Sequence, residues 1–173
     1  MTQLEQITQY MQTALASDNS GHSADHIDRV VALANKILIN EPMADPFIVR
    51  AAALLHDVYD DKLFNNASDV QLAKSHLKTF LSNISVSQDD ISRIFYIIDN
   101  MSWSKGIGGQ AQHLDINGQI VQDADRLEAV GAIAITRAIT YGAVKNRILY
   151  DPAIPPRIAQ NKAEYRNDDS TTI

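Results

Sequence analysis

Residues 52–61 read AALLHDVYDD. The stretch closes a segment, from Pro46 to about Val58, that is apolar on nearly every side apart from Arg50. A helix with no polar face is packed all round, so this segment predicts a central buried helix, with Pro46 suited to its first turn. Its last turn carries His56, Asp57, Asp60 and Asp61. Adjacent residues on a helix point about 100° apart, so His56 and Asp57 can face one ion only where the helix ends and the backbone turns. The end of a helix also presents free carbonyls and the negative pole of its dipole, a modest favourable field for a cation.

Helical periodicity continues outward from this segment. Leu4, Ile7, Met11 and Leu15 form one stripe of a first helix that fails at the turn-prone DNSG of residues 18–21. A second helix is predicted over 23–40, with Ser23 as N-cap and Ile27, Val30, Val31, Ala34, Ile37 and Leu38 as its buried stripe. NEPMADP is a connector. Amphipathic helices follow near 68–82 and 88–99, and SWSKGIGG breaks the pattern. From Asn117 to about Tyr141 the spacing predicts one long buried helix with Asp123, Asp125, Arg126 and Glu128 set into it. Beyond Gly142 the prolines at 152, 155 and 156 make the chain irregular. No strand, internal repeat or low-complexity tract is evident, and the expected class is all-α.

The 173 residues, 45% of them hydrophobic, suit a single domain spanning 1–173. A net charge of −6 argues against duplex nucleic acid, whose binding needs clustered Lys and Arg. With no cysteine, disulfides, thiolate nucleophiles and sulfur-ligated zinc are excluded, and any metal must use His and carboxylates. The longest apolar run, Ala129 to Ile135, falls far short of the roughly 18 residues of a membrane helix, so no membrane partner and a cytoplasmic location are expected. The quantity of apolar helix surface points to a homodimer.

Buried carboxylates are costly unless paired or metal-bound, and two apolar helices here each carry acids inward. His26, at the margin of the second helix's apolar stripe, is the best further ligand, with His22 one turn earlier. The long helix offers Asp123 or Asp125, about 200° apart, and periodicity does not choose between them. Asp25 is a candidate for orienting a ligand histidine. His76 and His113 lie in polar surroundings and read as surface residues.

The spacing of His26, the pair His56–Asp57 and a later Asp resembles the metal-dependent HD-domain phosphohydrolases. The wording HxxDHIxRVVALA at 22–34, ALLHDVYDDK at 53–62, QDADRLEAVGAIAITRA at 122–138, then TYG and YDP, is similar to the small bacterial HD proteins, some of which hydrolyse nucleoside triphosphates. The resemblance runs from about 20 to 152. It implies a compact helical bundle with the metal site between central helices, and His26, His56, Asp57 and Asp125 as ligands of one divalent ion. Asp60 takes the place of an acid that acts near the attacking water. That acid is a glutamate in the relatives, and Asp61 or a water chain is its alternative. The resemblance also implies a C-terminus, beyond 153–173, shortened relative to relatives. Manganese is the first choice of metal, with Fe²⁺, Co²⁺, Ni²⁺, Zn²⁺ or Mg²⁺ as alternatives. The expected reaction is cleavage of a (deoxy)nucleoside triphosphate to monophosphate and pyrophosphate. Other readings of the same site are a 5′-nucleotidase, a phosphodiesterase, or a nucleotide sensor without turnover. His22, Lys62 and Lys105 are the candidate substrate contacts; Arg29, Arg137, Lys145 and Arg147 are further cations available to phosphate.

Overall fold

The computed structural model describes residues 1–16, 24–64, 66–102, 112–154 and 171–172. Among them are seven α-helices and no strand: α1 (Gln3–Ala14), α2 (Ala24–Leu38), α3 (Pro46–Leu55), α4 (Ala67–Asn83), α5 (Gln88–Met101), α6 (Ile116–Glu128) and α7 (Ala132–Val144). The predicted caps at Ser23 and the DNSG turn lie outside the described residues.

Local chemistry accounts for most helix starts. Thr2 and Glu5 exchange bonds in a capping box on α1. Asp45 accepts from the backbone N–H of Phe47 (2.9 Å) and Ile48 (3.3 Å) ahead of Pro46. Asn66, Ser87 and Asp115 accept in the same way from Asp69, Asp90 and Gly118.

The segment without a polar face is the centre of the molecule. Ile48, Val49, Ala51, Ala52, Ala53 and Leu55 of α3 are wholly buried, and α1, α2, α5 and α6 pack around it. Arg50, its one charged residue, is partly buried and donates to Asn35 of α2 at 2.7 Å. The other stripes turn inward as their spacing predicts, through Ile7 and Met11 of α1, Ile27 and Val30 of α2, and Ile91 and Ile94 of α5. Gly118 lets α6 come close to its neighbours, because a Cβ there would stand 3.0 Å from Leu114 and 3.3 Å from Ile97.

The N-termini of α3 and α6 are joined. Asn117, buried, accepts from the backbone N–H of Asp45 at 2.7 Å. His56 lies 11 residues beyond Asp45 and Asp125 lies 8 beyond Asn117, and at about 1.5 Å per residue both then fall near the far ends of their helices. This junction sets the axial register of two site-bearing helices.

The long helix expected over 117–141 is instead two helices bent by 77°. Gly131 has φ +89°, in the left-handed region that glycine enters without strain, and the chain turns there. The expectation of burial holds for α6 alone. On and around α7, Leu127, Val130, Ile133, Ile135, Ile139 and Val144 are exposed. An apolar run announces a buried helix or an exposed apolar face equally well, and periodicity cannot tell them apart. No single helix among the described residues is long and apolar enough to cross a membrane.

Replacing Asp45 with Ala removes the α3 cap while leaving its apolar packing in place. Urea denaturation should show a loss of about 1 kcal/mol, with no change in helix content of the folded protein.

Candidate metal centre

Three helices deliver the site. His26 sits in the first turn of α2, His56 caps the C-terminus of α3 with Asp57 in the turn beyond it, and Asp125 lies in the last turn of α6. His26, His56 and Asp57 are all buried, although the sequence places His26 only at the margin of a stripe. Close packing of α2 on both α3 and α6 closes that margin.

The two imidazoles meet at Nε2, 3.3 Å apart. His26 Nε2 lies 3.6 Å from Asp57 Oδ2 and 3.5 Å from Asp125 Oδ1. His56 Nε2 lies 3.6 and 3.7 Å from the same two atoms. Ligands held about 2.1 Å from one ion stand about 3.4 Å apart in a tetrahedron and about 3.0 Å apart along the cis edges of an octahedron. His26, His56 and Asp57 offer donor atoms that all lie within 4.8 Å of one another and so fit a shared cation, with Asp125 standing beside the two histidines.

The outer ring nitrogens face acceptors. His56 Nδ1 lies 2.8 Å from the carbonyl oxygen of Ala53, and His26 Nδ1 lies 3.0 Å from Glu128 Oε2, off the axis of a well-aligned hydrogen bond. Assigned from the Ala53 carbonyl, the His56 ring carries its proton on Nδ1 and directs the Nε2 lone pair inward. Two imidazole nitrogens faced by two carboxylates favour a positive charge between them: a proton, or a metal ion. The electrostatics agree. Burial would make His56 harder to protonate, but Asp57, Asp125, the Ala53 carbonyl and Asp60 outweigh it and raise its pKa above the ordinary value. For Asp125, burial would raise the pKa; the contact with His26 and the charge of His56 overcome it and hold the carboxyl below the ordinary range.

The turn carrying Asp57 is anchored from behind. Tyr59 is buried, stacks on Phe95 and donates to Asp99 at 3.2 Å, while Lys74 holds both Asp99 oxygens at 2.7 and 2.8 Å. Burial first, then the charge and hydrogen bond of Asp99, push the tyrosine hydroxyl far above its usual pKa, so it stays a donor.

With this geometry in view, the HD domain family is found to match residues 23–130. The chain belongs to the HD domain family. It is similar to YpgQ of Bacillus subtilis (strain 168), 39% identical over 150 residues that make up 87% of this chain and 71% of YpgQ. The crystal structure of YpgQ in complex with ADP matches with a TM-score of 0.69 at 38% identity, over 86% of this chain and 70% of that one. A Lactobacillus plantarum protein matches with a TM-score of 0.86 at 42% identity, over 98% of this chain and 76% of its own. An HD-superfamily hydrolase from Bacillus thuringiensis matches with a TM-score of 0.63 at 35% identity, over 88% and 71%. The chain thus stands among the HD-superfamily hydrolases, whose domains bind divalent metal.

Within this HD domain, the alternative that periodicity leaves open is resolved by position: Asp125 faces the two histidines and Asp123 is exposed. Asp60 and Asp61 are half-buried in the turn after Asp57, and Asp60 is near enough for its charge to act on His56. His22 and Lys105 lie outside the described residues, as does the side chain of Lys62, whose backbone belongs to a single 3-10 turn over Asp61–Leu63. His76 and His113 are exposed. Asp25, expected to orient a histidine, is an exposed partner of Arg29 at 2.7 Å; the carboxylate against the His26 ring belongs to Glu128. Nor are Arg29 and Arg137 simply open to phosphate, since both bind Glu128. They line an open cleft of about 280 Å³ with Asp25, Ile133, Thr136 and Thr140, where Asp25 and Glu128 offset their charge.

If His56 is a ligand, His56→Ala should weaken divalent-metal binding at least about tenfold, measured by titration of chelator-stripped protein. Unchanged uptake by folded His56→Ala would remove it from the ligand set.

Proposed function

We propose that this chain is a divalent-metal-dependent nucleotide phosphohydrolase that cleaves (deoxy)nucleoside triphosphates to monophosphate and pyrophosphate. The observation that carries the reading is the 3.3 Å approach of His26 and His56 Nε2 between Asp57 and Asp125. ADP in the YpgQ complex supports a nucleotide as the ligand.

In this reading His26, His56, Asp57 and Asp125 hold one ion. A mixed nitrogen and oxygen set suits Mn²⁺, our first choice, as well as Fe²⁺, Co²⁺, Ni²⁺ or Zn²⁺, better than Mg²⁺. When bound, such an ion lowers the pKa of water and polarises a phosphoryl oxygen. Asp60, beside the site and not needed as a ligand, accepts the proton of the attacking water as its oxygen bonds to the α-phosphorus, and the α–β bridging oxygen leaves with pyrophosphate. Phosphoryl transfer requires mainly positioning and charge neutralisation, which a rigid site and a few cations supply. Lys62 and Lys105 are the proposed phosphate contacts and His22 a further substrate contact.

Metal-loaded protein incubated with a nucleotide panel, following pyrophosphate, phosphate and monophosphate separately, tests the reaction. Pyrophosphate should appear with one monophosphate, and both should vanish with a chelator and in Asp57→Ala. Release of phosphate alone points to a 5′-nucleotidase, and nucleotide binding without turnover to a sensor. Turnover that survives chelation and Asp57→Ala sinks the metal reading. In the same assay Asp60→Asn should lower kcat by roughly 10²- to 10⁴-fold while retaining metal uptake.

A further inference from the structure

Glu128 is the most deeply buried acid of the molecule's described acidic side chains that an ion pair engages, its side chain 3% exposed. It ends α6, three residues after Asp125, so the two lie on one face of the helix. On α2, His26 and Arg29 have the same spacing. Packing α2 on α6 therefore matches the two pairs: His26 meets Asp125 at Nε2 and Glu128 at Nδ1, while Arg29 Nε donates to Glu128 Oε1 at 2.8 Å. Arg137 of α7 donates to Glu128 Oε2. Residues 128 and 137 would stand about 13 Å apart along a continuous helix, so the bend at Gly131 is what returns Arg137 to Glu128.

Burying a carboxylate is costly before pairing, and apolar residues of similar volume fill such a space at least as stably. Stability alone is therefore a poor reason for an acid here. The two histidines suggest a better one. His56 is backed by a carbonyl of its own helix, Ala53, but His26 stands in the first turn of α2 and its Nδ1 is backed from another helix by Glu128.

We propose that Glu128, clamped by Arg29 and Arg137, is a positioning residue that fixes the His26 ring so that Nε2 faces His56, Asp57 and Asp125. This rests on the metal reading above. Glu128 touches neither the ion nor the substrate; it acts through His26, and a carboxylate behind a ligand imidazole both sets its orientation and strengthens it as a donor. Arg137 makes the position of α7 part of the same support.

Chelator-stripped wild type, Glu128→Gln, Arg137→Gln and Asp57→Ala are titrated with Co²⁺, reading affinity by calorimetry and ligand field by visible absorption, with thermal unfolding of the metal-free proteins alongside. Glu128→Gln should bind Co²⁺ about 10- to 100-fold more weakly and with a changed spectrum, and Arg137→Gln should shift both in the same sense by less. A merely structural role lowers the melting temperature and leaves affinity and spectrum alone, and that result overturns the proposal. Should Glu128→Gln not fold, Arg137→Gln decides by the same two readings. A wild-type chain that takes up no Co²⁺ overturns the metal reading itself, whereas wild-type uptake matched by Glu128→Gln overturns only the role of Glu128.

Discussion

Two imidazole nitrogens 3.3 Å apart, faced by Asp57 and Asp125 at 3.5 to 3.7 Å, form an arrangement that favours a positive charge between them. It persists because the surrounding helices over-determine it. His56 belongs to the end of a helix whose residues are buried on every side, and His26 to a helix packed against two others. Both rings are buried, and the acids at Asp57 and Asp125 favour a positive charge between them. The hydrophobic core is in this sense the site's rigidity.

The supports are layered outward from that point. The bond from the backbone of Asp45 to Asn117 aligns α3 with α6 at the ends remote from the site, and the Tyr59–Asp99–Lys74 chain holds the turn after His56 from the α4–α5 side. Glu128 links the remaining histidine to two arginines. Each of these contacts joins residues of different helices or turns, so each couples the placement of one element to that of another.

Much of the fold was legible without coordinates. The segment 46–58 reads as a central helix because it lacks any polar face, and the stripes of α1, α2 and α5 carry the 3.6-residue period of amphipathic helices. The all-α class follows, and the HD domain match over 23–130 takes in most of the motif stretches at 22–34, 53–62 and 122–138. Two readings failed for one reason. The single helix over 117–141 and the orientation of a histidine by Asp25 were both inferred from neighbours in sequence. The backbone at Gly131 leaves the helical region, and Asp25 pairs with Arg29 while Glu128 faces the His26 ring. A glycine between apolar residues leaves helical periodicity intact, so it gave no warning; Glu128, one more acid in a charged turn, was no more conspicuous.

By itself the sequence determined the burial of α3, the absence of sulfur chemistry, and a short roll of histidines and acids able to bind a cation. Those properties reside in single residues and in the period of one helix. Tertiary structure alone decided that α7 bends 77° from the direction of α6 and that Glu128 backs His26, and it places Asp125, which the family resemblance implied and periodicity left open, beside the two histidines. These depend on how two or three helices rotate and slide against one another, a matter of fractions of a turn that no pattern along one chain encodes.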